Sequence, residues 1–599
     1  MTADIRTAAG RPHHDGSELH LPEQNPSPGD VIPVFVRLPR TYLATSVHLR
    51  SVTDGESAYT PAVLDRRDAH DFWWRADLRI GNPVTNYRFL IDRGGMGRVW
   101  LHAAGIAEHD IPDATDFRVT TFSPPPDWIR TGLIYQIFPD RFARSARAPE
   151  QSPPWAVPAA WDDPVIGRGP DCPLQFYGGD LYGIAERLDY VQRLGADVLY
   201  LTPVFPAESN HRYNASSFHE VDPLLGGDRA LGLLTAQAHR RGMRVIGDLT
   251  TNHSGDTHDW FRRAVADPTS EQAGYYYFRS HPEDYVSWLG VPTLPKFNWG
   301  SAALRTEMLA VVGKWLRPPY GLDGWRIDVA NMSGRCGDDD YNQEIARMIR
   351  AHMPPDTFLL AEHFHDYTAD MPGDGWHATM NYSGFARPVW SWLTRRRVGP
   401  VFPGMPLPLR QSTATEAVGT MRAFAAAVPW SVSSASVNLL GSHDTPRIRT
   451  ILGSADHVAV AAGLLFTYPG TPMVFMGDEL GLEGENGEHS RTPMPWGATG
   501  GPVYEVYRDL ITLRRTQPAL QGGGLRWLHT GGEALAYLRE NAEDRLLILA
   551  SRAAHEGVRL PGTLARFSPR NLYGGAAAKL LGDTLELPGD GPTFQVWSI

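Results

Sequence analysis

Between residues 133 and 475 the chain repeats one rhythm, a short apolar run followed by a longer amphipathic stretch. Eight such runs occur: Leu133 to Phe138, Val198 to Pro203, Val245 to Leu249, Gly324 to Val329, Phe358 to Ala361, Ala378 to Tyr382, Val437 to Leu440 and Met473 to Phe475. Short runs that are apolar throughout read as strands covered on both faces, and segments such as Leu181 to Leu194 and Asp228 to Arg241 read as the helices that cover them. Eight buried strands alternating with helices predict an α/β fold, a parallel (β/α)8 TIM barrel. A doubly wound open sheet is the alternative, but no glycine-rich phosphate fingerprint follows the first strand.

At 599 residues the chain is too long for a single core. Residues 1–29, polar and rich in Pro, Gly and His, read as a disordered tail. Over 30–123, strands such as Val34 to Leu38 and Phe72 to Leu78 alternate with turn residues and predict an antiparallel β-sandwich. The adjacent Trp73 and Trp74 face opposite ways in a strand, so at least one belongs to its core. After Pro124-Pro125-Pro126 the barrel occupies 124–520, with a long aromatic excursion after its third strand at 253–300. Short strands return over 521–599 as a C-terminal antiparallel β domain.

The net charge of −11 argues against nucleic acid. Cys172 and Cys336 are too few for a disulfide framework and lack metal-site spacing. No apolar stretch is long enough to span a bilayer and no leader is visible, so the expectation is a cytoplasmic protein without membrane partner or cofactor.

Polar residues gather where barrel strands end. Strand three runs into Asp248 and then Asn252-His253, strand four into Arg326-Ile327-Asp328, strand five into Glu362, and strand seven into His443-Asp444. Arg326 and Asp328 share a face of their strand, an arrangement that is either a structural ion pair or a carboxylate kept ionised for attack. Four strands ending this way are hard to explain by packing and suit cleavage of a glycosidic bond by two carboxyl groups. Asp328 would attack the anomeric carbon. Glu362, after an apolar run, would stay protonated as general acid, and Asp444 would hold sugar hydroxyls.

These motifs resemble the four sequence regions of the α-amylase family, glycoside hydrolase family 13, over about Leu133 to Trp496. The resemblance implies Asp328 as nucleophile, Glu362 as acid/base and Asp444 as transition-state stabiliser, acting on α-glucosidic bonds. It also implies that Tyr213, Asp248, His253, Arg326 and His443 line the subsite of the attacked glucose, with His211 a further candidate and Lys296 on the acceptor side. Tyr135 to Phe142, Phe176 to Leu181 and Leu201 to Phe205 resemble the neopullulanase, cyclomaltodextrinase and maltodextrin glucosidase group. Glu362-His363-Phe364 and Met332 lean toward maltodextrin glucosidase, giving an expected retaining hydrolysis of short maltooligosaccharides. Cyclomaltodextrinase or neopullulanase activity and transglycosylation are the alternatives within the family; a non-catalytic binding module is a third class. The N-terminal sandwich is a candidate homodimer surface.

Two features depart from the group. Asn214 replaces the usual Asp after Tyr213, and Ala143 to Ala160 lacks an Asn/Asp-rich loop, leaving Asp180 alone a poor calcium cage. No metal is therefore expected there. Trp260 and Tyr275 to Phe278 read as loop packing, whereas Trp288 and Trp299 are each either substrate wall or packing.

Overall fold

The structure, a computed structural model, describes residues 8–399, 401 and 405–599. Its centre is a sheet of eight parallel strands: β1 (Ile134–Ile137), β2 (Val198–Leu201), β3 (Arg244–Thr250), β4 (Gly324–Asp328), β5 (Phe358–Ala361), β6 (Ala378–Thr379), β7 (Val437–Leu439) and β8 (Thr471–Phe475). Their order is β6-β5-β4-β3-β2-β1-β8-β7. A parallel bridge from Met380 to Val437 joins β6 to β7, so the sheet closes into a barrel. β6 is shorter than its apolar run because the chain turns into a π-helical turn at Tyr382–Ala386.

Alternation within β4 decides what the barrel interior receives. Trp325 donates its indole N–H to the Val312 carbonyl of the helix Ala302–Trp315 and so faces the outer layer. Arg326 and Asp328 point the other way, and Arg326 pairs in register with Asp248 of β3. The strand is buried at all five positions, which forces its two charged side chains to find partners inside.

Two antiparallel sheets precede the barrel. One orders Val31–Pro39, Asp71–Arg79 and Val63–Arg67; the other is built around Ser46–Thr53 and Val84–Asp92. Val34, Val36, Leu49, Phe89 and Ile91 form the core between them. Trp74, half-buried, packs against this core, while Trp73 is buried on the other face of its strand, stacked on His20 at 5.4 Å. After the barrel, a five-stranded antiparallel sheet including Gly524–Gly531, Ala534–Glu540 and Arg545–Ser551 is accompanied by a three-stranded one.

The amino-terminal segment differs from expectation. Residues 1–7 lie outside the described residues, but 8–29 form a packed strap rather than a disordered tail. His13 exchanges backbone hydrogen bonds with Arg37 (2.8 and 3.1 Å), and Phe35 N–H donates to the His20 carbonyl at 2.8 Å. His14 lies edge-on to Phe117 at 4.4 Å between ring centres and bonds the Tyr87 hydroxyl at 2.9 Å. The composition suggested solvation because His counts as polar. Burial holds His14 well below its ordinary pKa, at about 3, so it packs as a neutral aromatic ring.

Candidate active site

Arg326 is the hub of the cleft. Its Nη1 donates to Asp248 at 2.9 and 3.0 Å and to Asp328 Oδ1 at 2.8 Å. Its Nη2 lies 2.5 Å from Glu362 Oε1 as an ion pair, without the angle of a directed hydrogen bond. One guanidinium thus serves three strands. Glu362 Oε2 accepts the Val329 N–H at 2.8 Å, and Val329 reaches that position with φ at 43°. A left-handed β-branched residue is strained, and here the strain aims a backbone donor at the carboxyl group.

A second chain of hydrogen bonds fixes the opposite side. The Gln136 amide donates to His443 Nδ1 (2.9 Å), which puts the ring proton on Nε2. That nitrogen faces the Tyr213 hydroxyl at 2.7 Å and Asp444 Oδ2 at 3.1 Å. Tyr213 in turn donates to Asp248 Oδ2 at 2.8 Å, as does Tyr200 at 2.6 Å. The Tyr213 and His443 rings stack at 5.5 Å and 8°, and His211 stacks on Tyr213 at 5.8 Å. Arg491 Nη2 lies 3.5 Å from Asp444 Oδ1 while its Nε holds the His443 carbonyl at 3.0 Å.

Among the described residues, Asp248, Asp328, Glu362 and Asp444 therefore pair with two guanidiniums, Arg326 and Arg491. Burial penalises every uncompensated charge, and it raises the pKa of all four carboxyl groups against the pull of the arginines. Glu362 is pushed up to about 7. Asp328 is also raised, by burial first and then by its carboxylate neighbours. This corrects the expectation that Arg326 simply holds Asp328 ionised, because the guanidinium is shared. The four carboxyl groups lie close enough to titrate as a set. His443 is held well below its ordinary range by burial and then by Arg491, so it stays neutral.

The excursion supplies the flank. His253 is buried with Nε2 unpartnered, its Nδ1 accepting from Asn252 at 3.1 Å and its ring 6.1 Å from Trp288. Lys296 donates to Asn252 and to the Met332 carbonyl (2.9 Å), and burial lowers its pKa to about 8. Trp288 stays half-buried beside His253. Trp299 is fully buried, its indole N–H donating to the Thr251 carbonyl at 2.8 Å, and is core. Trp260, Tyr275 and Tyr276 are buried packing residues as well.

Two further readings find local partners. Asn214 accepts from Ser209 Oγ at 2.5 Å within its own loop. Both Asp180 oxygens are occupied, one by the Gly183 N–H that it caps (2.5 Å) and the other by Ser145 Oγ (2.7 Å). His363 bonds Asp370 at 3.1 Å, and Asp370 is held bidentately by Arg335. Sequence reasoning did not single out Tyr200, Gln136 or Arg491. Gln136, a polar residue inside an apolar strand, was the one available signal.

Comparison with known proteins follows the same lines. The model of the alpha amylase catalytic domain matches residues 136–502, more than half of the chain. A cyclomaltodextrinase of Geobacillus thermopakistaniensis is 30% identical over 509 residues, 82% of this chain and 81% of its own. A maltogenic alpha-amylase of Bacillus acidopullulyticus is 30% identical over 442 residues, 72% of this chain and 70% of its own. A solved cyclomaltodextrinase superposes with a TM-score of 0.74 at 25% identity, covering 98% of this chain and 99% of that one. The chain belongs to the α-amylase family of glycoside hydrolases, within its neopullulanase/cyclomaltodextrinase group.

Proposed function

We propose that the protein hydrolyses α-1,4-glucosidic bonds in short maltooligosaccharides and in cyclodextrins, with retention of configuration. The observation that carries this is Arg326 binding Asp248, Asp328 and Glu362 at once, with Asp444 across the cleft beside His443. Glu362 gives its proton to the glycosidic oxygen as that oxygen leaves C1, and Asp328 closes on C1 to form a glycosyl ester. Glu362, now ionised, takes a proton from water, and the hydroxide replaces Asp328 at C1. Asp248, His443, Tyr213 and His253 would hold the hydroxyls of the attacked glucose; Lys296, Met332 and Trp288 would border the acceptor.

The relatives favour the cyclomaltodextrinase or maltogenic amylase reading over a maltodextrin glucosidase. Product chromatography from maltotriose, β-cyclodextrin, pullulan and panose distinguishes them. Opening of β-cyclodextrin with maltose and glucose as products is expected; inert β-cyclodextrin beside rapid glucose release from maltotriose would restore the glucosidase reading. Proton NMR of the first product should show the α-anomer, and an initial β-anomer would rule out the covalent route.

We also propose that two copies pair through the N-terminal sheets, where Tyr59, Val63 and Leu64 are exposed on consecutive strands. Sedimentation equilibrium should give a dimer that Leu64→Lys dissociates; a monomer at about 10 µM would overturn this.

A further inference from the structure

Away from the cleft, at the amino-terminal ends of the barrel strands, lies a cavity of ≈ 160 Å³. Trp430 and Ser433, which precede β7, and Tyr468, which precedes β8, form its barrel side. The strap, the N-terminal sheets and the first strand of the C-terminal sheet close the rest, so three separate parts of the chain meet there.

Its charge is unusual for a protein of net charge −11. Four arginines line it: Arg11, Arg118, Arg422 and Arg526. Arg526 is compensated by Asp71, at 2.8 Å. Arg118 donates only to main-chain carbonyls, those of Ala427 and Ala114. Arg422 is half-buried, and neither it nor Arg11 pairs with a carboxylate among the described residues. Burial lowers the pKa of Arg422, and the like charge of Arg11 lowers it further. The one lining carboxylate, Asp15, is already committed. Its Oδ1 accepts from the Ser17 N–H (3.0 Å), Ser17 Oγ (2.6 Å) and His20 Nδ1 (2.8 Å), and its Oδ2 accepts the Leu525 N–H at 2.8 Å.

Arg11 is exposed and Arg118 and Arg422 are half-buried; with no paired carboxylate among the described residues, these three guanidiniums around a recess that Trp430 and Trp527 also line offer an anion several N–H donors. Trp430 is half-buried and Trp527 buried, and both line the recess. Guanidinium forks match phosphate oxygens, and indole faces suit the C–H face of a pyranose. The recess has room for one small ring with its charged group.

We propose that this cavity is a binding site for a phosphorylated monosaccharide, its phosphate held by Arg11, Arg118 and Arg422 and its ring against Trp430 and Trp527. Occupation ties strap, barrel and C-terminal sheet together and so raises resistance to unfolding. The site lies at the opposite end of the strands from Asp328 and Glu362 and does not depend on the reaction proposed for them.

Titration calorimetry and thermal melts of the full chain test this with glucose 1-phosphate, inorganic phosphate and glucose as probes, in the presence of saturating maltose to occupy the cleft. Glucose 1-phosphate should bind and raise Tm, inorganic phosphate should bind about tenfold more weakly, and glucose should not bind. Arg422→Gln and Arg118→Gln should each weaken glucose 1-phosphate about tenfold or more while retaining maltotriose hydrolysis, which reports that they fold. The proposal fails if glucose 1-phosphate shows no binding up to about 10 mM, or if both variants bind it as the parent does. Equal binding of glucose would overturn the anion assignment, and equal binding of inorganic phosphate would overturn the sugar.

Discussion

The reaction proposed for the cleft turns on where Glu362 keeps its proton. Its pKa rises from an ordinary 4.5 to about 7 because burial outweighs Arg326 and the single Val329 N–H. The folded state therefore binds more protons than the unfolded one between those values, so this group's contribution to stability falls as pH rises from about 4.5 through about 7. Glu362→Gln should cut kcat on maltotriose by about 10³-fold yet stabilise the fold at pH 8 by about 2–3 kcal/mol in urea unfolding. The gain should vanish below about pH 4.5, where the carboxyl is protonated in both states; no gain at pH 8 would refute the burial argument. Parent activity should decline as pH rises through about 7, as the acid is lost. Asp328→Asn should lower kcat by about 10⁴-fold or more with unchanged circular dichroism, and near-normal turnover would remove Asp328 as nucleophile. Asp328, Glu362 and Asp444 were legible because each is a carboxyl group placed at or just beyond a strand end, a local property. Tyr200 and Arg491 were not, since strand pairing brings Tyr200 to Asp248 and the chain beyond the eighth strand brings Arg491 to Asp444, contacts that no local pattern shows.

At the scale of elements, two of the three tryptophans in the excursion after β3, Trp288 and Trp299, stand eleven residues apart and have different fates. Trp299 fills core beneath the loop, and Arg305 Nε braces its carbonyl at 2.6 Å. Trp299→Ala should lower stability by about 3–5 kcal/mol, read from the urea midpoint. Trp288→Ala should leave the midpoint unchanged and raise KM for maltotriose about threefold or more, because its ring stands half-exposed against His253. The reverse pattern would contradict the assignment of wall and core. No spacing rule distinguishes the two, as burial depends on what the loop folds onto. The strap at 8–29 makes the same point, since His14 and His20 pack on aromatic rings of strands far along the chain.

Across the molecule, the N-terminal and C-terminal sheets are joined by buried charge. Arg37 Nη1 donates to Glu540 at 3.0 Å, Arg545 Nε to the same carboxylate at 3.1 Å, and Arg526 Nη1 to Asp71 at 2.8 Å. The arginines hold Glu540 well below its ordinary range and Asp71 at about 2, overcoming burial. Carboxylates depressed in this way stabilise the fold above their unfolded pKa of about 4, and that stability is lost as pH falls through about 2. Glu540→Ala leaves Arg37 and Arg545 buried without their carboxylate and should cost about 3–5 kcal/mol at pH 7. Urea unfolding followed by tryptophan fluorescence measures this; a loss under about 1 kcal/mol would show that the joint is dispensable.

The amino-acid sequence by itself determined the barrel and the identity of its strand-end carboxyl groups. Strand length, apolar runs and the two-residue alternation of side chains are properties of neighbours along the chain. Tertiary structure alone decided the rest: that β6 meets β7 through Met380 and Val437, that Arg326 divides its charge among three carboxylates, and that Trp299 is core. It also decided that a polar amino-terminal segment packs and that Arg11, Arg118 and Arg422 line one recess, none paired with a carboxylate among the described residues. Burial and charge balance are sums over partners remote in sequence, as with Tyr135 and Glu479, 344 residues apart and hydrogen-bonded at 2.7 Å. No local pattern carries that sum.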